Sequence, residues 1–252
     1  MKLTGNTIFI TGGGSGIGRG LAEALHKRGN KVIISGRRKQ NLQETLDANP
    51  GMDSVVLDVN DPQQVKQTVD DLIKTYPSLN VVINNAGIML PDVAEGEIDE
   101  ELLVSTVSTN LLAPIRITSA FIDHLKKQPD ATVAYVSSVL AFVPLAVTAV
   151  YSATKAALHS YSMSQRYKLR NSSVEVLEIA PPWVRTDLMN SREEERAMPL
   201  EDFIAQTMTA LETATTEVLV EVAKPLRNNP GPQEHGFVNQ FNDMLVGLEK
   251  AA

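Results

Sequence analysis

Short aliphatic runs alternate with longer amphipathic stretches from the start of the chain. Ile8-Phe9-Ile10, Val32-Ile33-Ile34 and Val55-Val56-Leu57 read as strands, and helices are predicted between them over about 17–29 and 38–48. A third helix starts behind Asp61 as its cap, with Pro62 in the first position, where a missing N–H costs nothing. Val81-Val82-Ile83, Val133-Ala134-Tyr135-Val136 and Val174-Glu175-Val176-Leu177 continue the strand series, separated by helices predicted over about 99–127 and 151–169. These runs lack clean alternation of polar and apolar positions, so each strand is expected to be covered on both faces. Right-handed crossovers then make this a single-domain α/β fold, a doubly wound parallel sheet with helices on both sides.

The pattern weakens after Pro181-Pro182. Residues 187–210 are polar and charged, and predict a mobile helical cover over a substrate site; a helix over about 212–227, a Pro/Gly turn at 230–232 and a tail around Phe237-Val238-Asn239-Gln240-Phe241 follow. Ala131 to Thr154 carries no charge, which invites a membrane-spanning reading. Ser137-Ser138, Pro144 and Thr148 interrupt it, so it divides into a buried strand and a loop. The apolar start, Thr7-Ile8-Phe9-Ile10, is too short for a signal-peptide core, and the expected location is the cytoplasm.

Composition narrows the chemistry. Lys plus Arg number 23 against 30 Asp plus Glu, a formal charge of −7, so there is no basic excess to bind a nucleic-acid backbone. Cysteine is absent, which removes disulfides, thiolate metal sites and thiol catalysis. His26, His124, His159 and His235 share no metal-ligand spacing and read as ordinary surface or interface residues.

Gly12-Gly13-Gly14-Ser15-Gly16-Ile17-Gly18 lies between the first strand and the first helix, where glycines let a backbone approach a pyrophosphate at a helix N-terminus. Glycines at i, i+2 and i+5 fail at Ile17. A kinase-like phosphate loop fits Gly13 and Gly18 but then meets Arg19-Gly20 where Lys and Ser/Thr are needed. What fits is Thr11-Gly12-x-x-x-Gly16-x-Gly18. The second strand ends in Ser35-Gly36-Arg37-Arg38, with no acid to accept a ribose 2′-hydroxyl. Arg37 and Arg38 instead suit a 2′-phosphate, which favours NADP(H) over NAD(H).

Tyr151-Ser152-Ala153-Thr154-Lys155 opens a predicted helix, and its i, i+4 spacing puts phenol and ammonium on one face. Bringing a phenol from a pKa of about 10 to about 7 takes roughly 4 kcal/mol, which a nearby cation can supply. Ser138 ends the preceding strand, where a hydroxyl can enter a cleft at the C-terminal edge of the sheet.

Thr11-Gly12-x-x-x-Gly16-x-Gly18, Asn84-Asn85-Ala86-Gly87, Asn110, Ser138 and Tyr151-x-x-x-Lys155 stand in the order and spacing of the short-chain dehydrogenases/reductases, and the resemblance covers about residues 5–188. It implies a Rossmann fold and a catalytic set in which Tyr151 is the general acid of reduction and Ser138 bonds the substrate carbonyl. Lys155 would tune Tyr151 and hold the nicotinamide ribose, while Asn110 would anchor a relay water. It further implies cofactor contacts from Gly12, Gly14, Ser15, Gly16, Ile17 and Gly18, from Asp58 and Val59 at the adenine, and from Asn85, Ala86 and Gly87. Pro181, Val184 and Thr186 would close the nicotinamide end. Pro182 replaces the family's glycine, and the usual final strand is not recognisable; both departures resemble a subgroup named after an oxidoreductase of a D-alanine-esterification operon.

Candidate pocket residues are Val139, Leu140, Phe142 and Leu145 after Ser138, with Met89, Trp183, Leu188 and Met189 opposite. Apart from Arg185 they offer no fixed charge, so a neutral, fairly hydrophobic ketone or aldehyde is expected. The helices over 99–127 and 151–169 resemble those that pair across a dyad in this family, which implies a homo-oligomer, a dimer ahead of a tetramer because the family's final strand is missing. Two other classes compete with a carbonyl reductase or alcohol dehydrogenase. A non-enzymatic NADP(H)-binding regulatory protein has no need of Ser138. A sugar-nucleotide epimerase or dehydratase would need more than the roughly 65 residues that follow Thr186.

Overall fold

The computed structural model describes residues 1–213 and 216–249. Seven parallel strands form one sheet in the order β3-β2-β1-β4-β5-β6-β7. They are β1 (Thr7–Thr11), β2 (Lys31–Gly36), β3 (Asp53–Val56), β4 (Leu79–Asn84), β5 (Ala131–Val136), β6 (Val174–Ile179) and β7 (Glu217–Val218). Between them run α1 (Gly16–Lys27), α2 (Lys39–Ala48), α3 (Pro62–Thr75), α4 (Glu100–Val107), α5 (Ala113–Leu125), α6 (Ala149–Leu169) and α7 (Leu200–Leu211). The chain order jumps outward from β1 in both directions, so the crevice opens where β1 and β4 diverge, above their C-terminal ends.

Strand periodicity divides the core. Ile8, Ile10 and Ile34 pack with Leu21 and Leu25 of α1 and Phe203, Met208 and Leu211 of α7. Phe9, Ile33, Val82 and Val133, pointing the other way, pack with Val69 of α3, Phe121 of α5 and Leu158 of α6. Apolar burial on both faces explains why these strands read as continuous hydrophobic runs. Asp61 caps α3 as expected, accepting from Gln63 N at 2.9 Å and Gln64 N at 3.0 Å.

Three expectations need correction. The helix over 99–127 is interrupted by a π-turn at Ser108–Leu112, ahead of Pro114, which cannot donate to the ladder. The segment 187–210 is not a mobile cover throughout: after a 3₁₀ turn at Leu188–Glu193, α7 is a core layer. It approaches α1 so closely that a Cβ at Gly20 would stand 2.7 Å from Ile204 Cγ1. In place of a helix over 212–227, the described residues form β7, a 3₁₀ turn at Glu221–Ala223 and the short α8 (Lys224–Arg227); residues 214–215 lie outside the described part. The sheet therefore has a seventh strand, and a preference for a dimer based on a missing strand loses its premise. The tail is α9 (Glu234–Glu249), tied down where Asn242 bonds Pro144 O at 3.0 Å and Ala146 N at 2.6 Å.

The uncharged run from Ala131 becomes β5, two 3₁₀ turns and the start of α6. Among the described residues no helix is long and apolar enough to cross a membrane.

Candidate active site

The residues singled out from the sequence gather along the C-terminal edge of the sheet. The β1–α1 turn carries Gly12 to Gly18, and Arg37 and Arg38 leave β2. Asp58 and Val59 leave β3, and Asn85 to Gly87 leave β4. Ser138 follows β5, and Pro181 to Thr186 follow β6.

The glycine turn is locked against the end of β4. Thr11 Oγ1 accepts from Asn85 N at 3.0 Å and Ala86 N at 3.1 Å, and Asn85 Nδ2 donates to Thr11 O at 3.0 Å and Gly12 O at 3.3 Å. Gly12, at φ +68°, has no room for a side chain: a Cβ would stand 2.9 Å from Asn85 Nδ2 and 3.0 Å from Ala86 Cα. Gly16, at φ +53°, faces Thr186 across the turn, where a Cβ would touch its side chain at 3.4 Å. Thr186 and the start of α1 thus flank one strip of bare backbone, a shape that admits a pyrophosphate. Gly14 turns away and packs on Asn41 of α2, so its part is to bring the turn close to that helix. Arg38 Nη2 donates to Ser15 Oγ at 3.1 Å, which places a guanidinium beside the turn.

Asp58 Oδ1 accepts from Asn60 N at 3.0 Å, and Val59 is buried against Leu57 and Val65. Asn110 sits buried in the π-turn. Its Oδ1 accepts from Ile88 N at 2.9 Å and its Nδ2 donates to Ile88 O at 2.8 Å and Thr154 Oγ1 at 3.3 Å. The side chain expected to anchor a water is therefore engaged in holding the loop after β4 to α6. A Cβ at Gly87 would stand 3.3 Å from Asn110 Oδ1 and 3.7 Å from Lys155 Nζ, so only glycine leaves that face open.

Tyr151 and Lys155 are both buried on α6. The Ser138 hydroxyl hydrogen-bonds the Tyr151 phenol and accepts from Leu140 N at 3.1 Å. Burial pushes the phenol up to about 12, with the Ser138 bond pulling the other way. Lys155 Nζ donates to Val136 O at 2.9 Å and lies 5.4 Å from the Tyr151 ring centroid. Burial pulls its ammonium down to about 8, opposed by the charge of Glu178. A tyrosine that stays protonated through neutral pH is a proton donor. The Lys155 ammonium meanwhile is bonded to the backbone carbonyl of Val136.

The pocket residues separate into two groups. Val139, Leu140, Met89 and Leu145 belong to the same packed cluster as Tyr151 and Val184. Leu188, Met189 and Trp183 are exposed on the segment after β6. Met189 and Asn190 hold left-handed backbone there, φ 55° and 51°, uncommon for non-glycine residues. Trp183 Nε1 donates to Ser191 Oγ at 2.8 Å, and the Arg196 guanidinium lies over its ring. Phe142 does not join them. It is buried against Val143 and Ala180, with its ring edge-on to His159 at 4.9 Å and Arg227 over it at 4.7 Å, because the 3₁₀ turn after Ser138 directs it beneath α8. Arg185 is bound to backbone: Nε donates to Glu194 O at 2.9 Å and Ala197 O at 3.0 Å, and Nη2 to Glu195 O at 2.9 Å.

Sequence reasoning missed one group. His159 is not an ordinary surface residue: its Nδ1 lies 2.6 Å from Oε2 of Glu178, a fully buried carboxylate on β6. The signal was its spacing, one helical turn beyond Lys155.

The family model for short chain dehydrogenase matches residues 6–197. The chain belongs to the short-chain dehydrogenase/reductase family. It is an oxidoreductase of that family by its similarity to the oxidoreductase DltE of Bacillus subtilis (strain 168), with 42% identity over 250 residues, 96% of this chain and 98% of the relative. A short-chain dehydrogenase of Burkholderia cenocepacia J2315, solved in complex with NADP, superposes with a TM-score of 0.82 at 26% identity, over 95% of this chain and 98% of that one. One of Burkholderia phymatum, solved with NAD, shares the fold at a TM-score of 0.81 and 20% identity, over 90% and 93% of the two chains.

Proposed function

We propose that this short-chain dehydrogenase/reductase is an NADP(H)-dependent carbonyl reductase or alcohol dehydrogenase acting on a neutral, fairly hydrophobic ketone or aldehyde. The observation that carries the reading is the convergence of Ser138, Tyr151 and Lys155 at the edge of the sheet, with the bare backbone of Gly87 facing the ammonium. The cradle fits a dinucleotide: the turn from Gly12 to Gly18, with Ser15 and Ile17, would hold the pyrophosphate together with Thr186. Asp58 and Val59 would meet the adenine. Asn85, Ala86, Gly87, Pro181 and Val184 would line the nicotinamide end, with Lys155 at the ribose. When bound, the nicotinamide supplies or accepts the hydride.

The protein's own part is proton chemistry and orientation. Ser138 donates to the substrate carbonyl oxygen, and Tyr151 delivers its proton to the same oxygen as negative charge grows there. The Lys155 ammonium stabilises the phenolate that remains, the role its position one turn along α6 permits. Asn110 holds the loop between cofactor face and α6 through about three hydrogen bonds worth roughly 1 kcal/mol each.

Arg37 and Arg38 support NADP(H), since no carboxylate stands among residues 35–38 and Arg38 already lies over Ser15. The binding of Arg185 to three backbone carbonyls supports a neutral substrate, because its guanidinium is already engaged. Val104, Leu112, Met163 and Tyr167 are exposed on α4, the π-turn and α6, which supports a homo-oligomer paired across that face. Light scattering is expected to give a dimer or tetramer, and a monomer at micromolar concentration contradicts it. The test of the cofactor reading is parallel fluorescence titration with NADPH and NADH. Tighter NADPH binding is expected; tighter NADH binding rejects the preference, and binding of neither rejects the enzyme. The non-enzymatic alternative requires NADPH binding with no carbonyl turnover.

A further inference from the structure

The polar face of α6 that carries Tyr151 and Lys155 continues to His159 and Ser162, in the i, i+4 and i, i+3 rhythm of one helical face. The two lower residues grip one carboxylate. His159 Nδ1 lies 2.6 Å from Glu178 Oε2, and Ser162 Oγ donates to the same oxygen at 3.2 Å. From the neighbouring strand, Ser137 Oγ donates to Glu178 Oε1 at 2.5 Å. Ser137 directly precedes Ser138, and Lys155 Nζ is bound to Val136 just before it. Glu178 is therefore the common floor beneath both catalytic hydroxyl and ammonium.

A carboxylate taken wholly out of water costs several kcal/mol unless it is paired and fully hydrogen-bonded. Its strand neighbours Leu177 and Ile179 are apolar and fill their positions without such a cost. The groups that face it are Ser137 after β5, Lys155, His159 and Ser162 from α6, Glu217 from β7 and the Arg227 guanidinium from α8. Glu217 is held in turn by Arg227 of α8 at 2.7 and 2.9 Å and feels the charge of Arg166. His159, Glu178 and Glu217 offer atoms within 4.8 Å of one another, a spacing a metal ion could use, but both Glu217 oxygens already belong to Arg227.

We propose that Glu178 is a positioning residue for this enzyme: its carboxylate, clamped by Ser137, Ser162 and His159, fixes the end of β5 behind Ser138 against the face of α6 that carries Lys155, and stands there as a buried negative charge. The role rests on the oxidoreductase reading of Tyr151 and Lys155. Burial alone disfavours the Lys155 cation, and Glu178 acts against that loss. Removing the charge while keeping the shape therefore moves the loss of the ammonium to lower pH.

The experiment is NADPH affinity, measured by fluorescence against pH, for wild type, Glu178→Gln and Glu178→Asp, with thermal unfolding alongside. Affinity in the wild type is expected to fall on the basic side. Glu178→Gln is expected to shift that fall to lower pH, and Glu178→Asp, which restores the charge, to return it toward wild type even where its melting temperature is lower. A purely structural role changes melting but leaves the basic limb in place, and an unmoved limb in folded Glu178→Gln overturns the proposal. Should Glu178→Gln not fold, the double variant Glu178→Met with His159→Leu replaces both members by apolar side chains and must move the limb the same way. A wild type that binds no nicotinamide cofactor overturns the enzyme reading and this role with it; NADPH binding with an unmoved limb overturns this role alone.

Discussion

Gly18→Ala tests the cofactor cradle through stability and binding at once. A Cβ at Gly18 would come under 3.0 Å from both Asn85 Nδ2 and Gly12 O, and the second is backbone that has no rotamer to yield. Relief requires the Asn85 amide to leave Thr11 O and Gly12 O, two bonds of about 1 kcal/mol each. Forcing the turn apart adds about 1–3 kcal/mol. Alanine returns about 1 kcal/mol over glycine inside a helix. The net is a loss of about 2–4 kcal/mol, which lowers the melting temperature of a chain this size by roughly 4–16 °C. Because the same displacement spreads the strip between Gly16 and Thr186, NADPH affinity is expected to fall with it. Thermal unfolding by circular dichroism and an NADPH titration read both effects. Gly236→Ala is the control: it lies on α9, where an added Cβ would meet nothing within 4 Å, so it is expected to be neutral or slightly stabilising. Melting and NADPH affinity both unchanged in Gly18→Ala would mean that the turn is not held as described.

Three further outcomes are expected. Replacing Arg37 and Arg38 with Ala should weaken NADPH binding roughly ten- to hundredfold, the worth of charge-assisted bonds to a phosphate, while leaving NADH binding alone; equal losses for both cofactors contradict the assignment. Carbonyl reduction should decline as pH rises through about 8, where Lys155 loses its proton, while Tyr151, at about 12, keeps its own; a rate that stays level through that range contradicts a role for the ammonium. Arg185→Gln should loosen the 194–197 loop yet leave the preference for neutral over anionic carbonyls unchanged, as kinetics on paired substrates would read; a lost preference contradicts the reading of Arg185 as a structural tie.

How much of this could be read from the sequence followed the range of the forces involved. The Asp61 cap, the glycine turn and the aliphatic runs of β1, β2 and β4 are set by local spacing, and they form where expected. The π-turn is invisible to helical periodicity, since Asn110 lies in a stretch that is apolar on the right face either way. β7 is too short for any alternation to mark it. Phe142 reads as a pocket residue by proximity to Ser138, but one 3₁₀ turn sends its ring inward. Glu178 stands just beyond the apolar run of β6, and nothing in its local spacing marks it as buried. Its partners stand on α6 and after β5, and only the packed sheet brings them to it.

The measurement that bears most directly on the central claim is NADPH consumption with a panel of neutral hydrophobic ketones and aldehydes, in wild type and Tyr151→Phe side by side. Turnover in the wild type, reduced by about 10²–10⁴ in a Tyr151→Phe protein that still binds NADPH, is the predicted result for a general acid. Turnover that survives the loss of the phenol, or NADPH binding with no turnover of any carbonyl in the wild type, would contradict it.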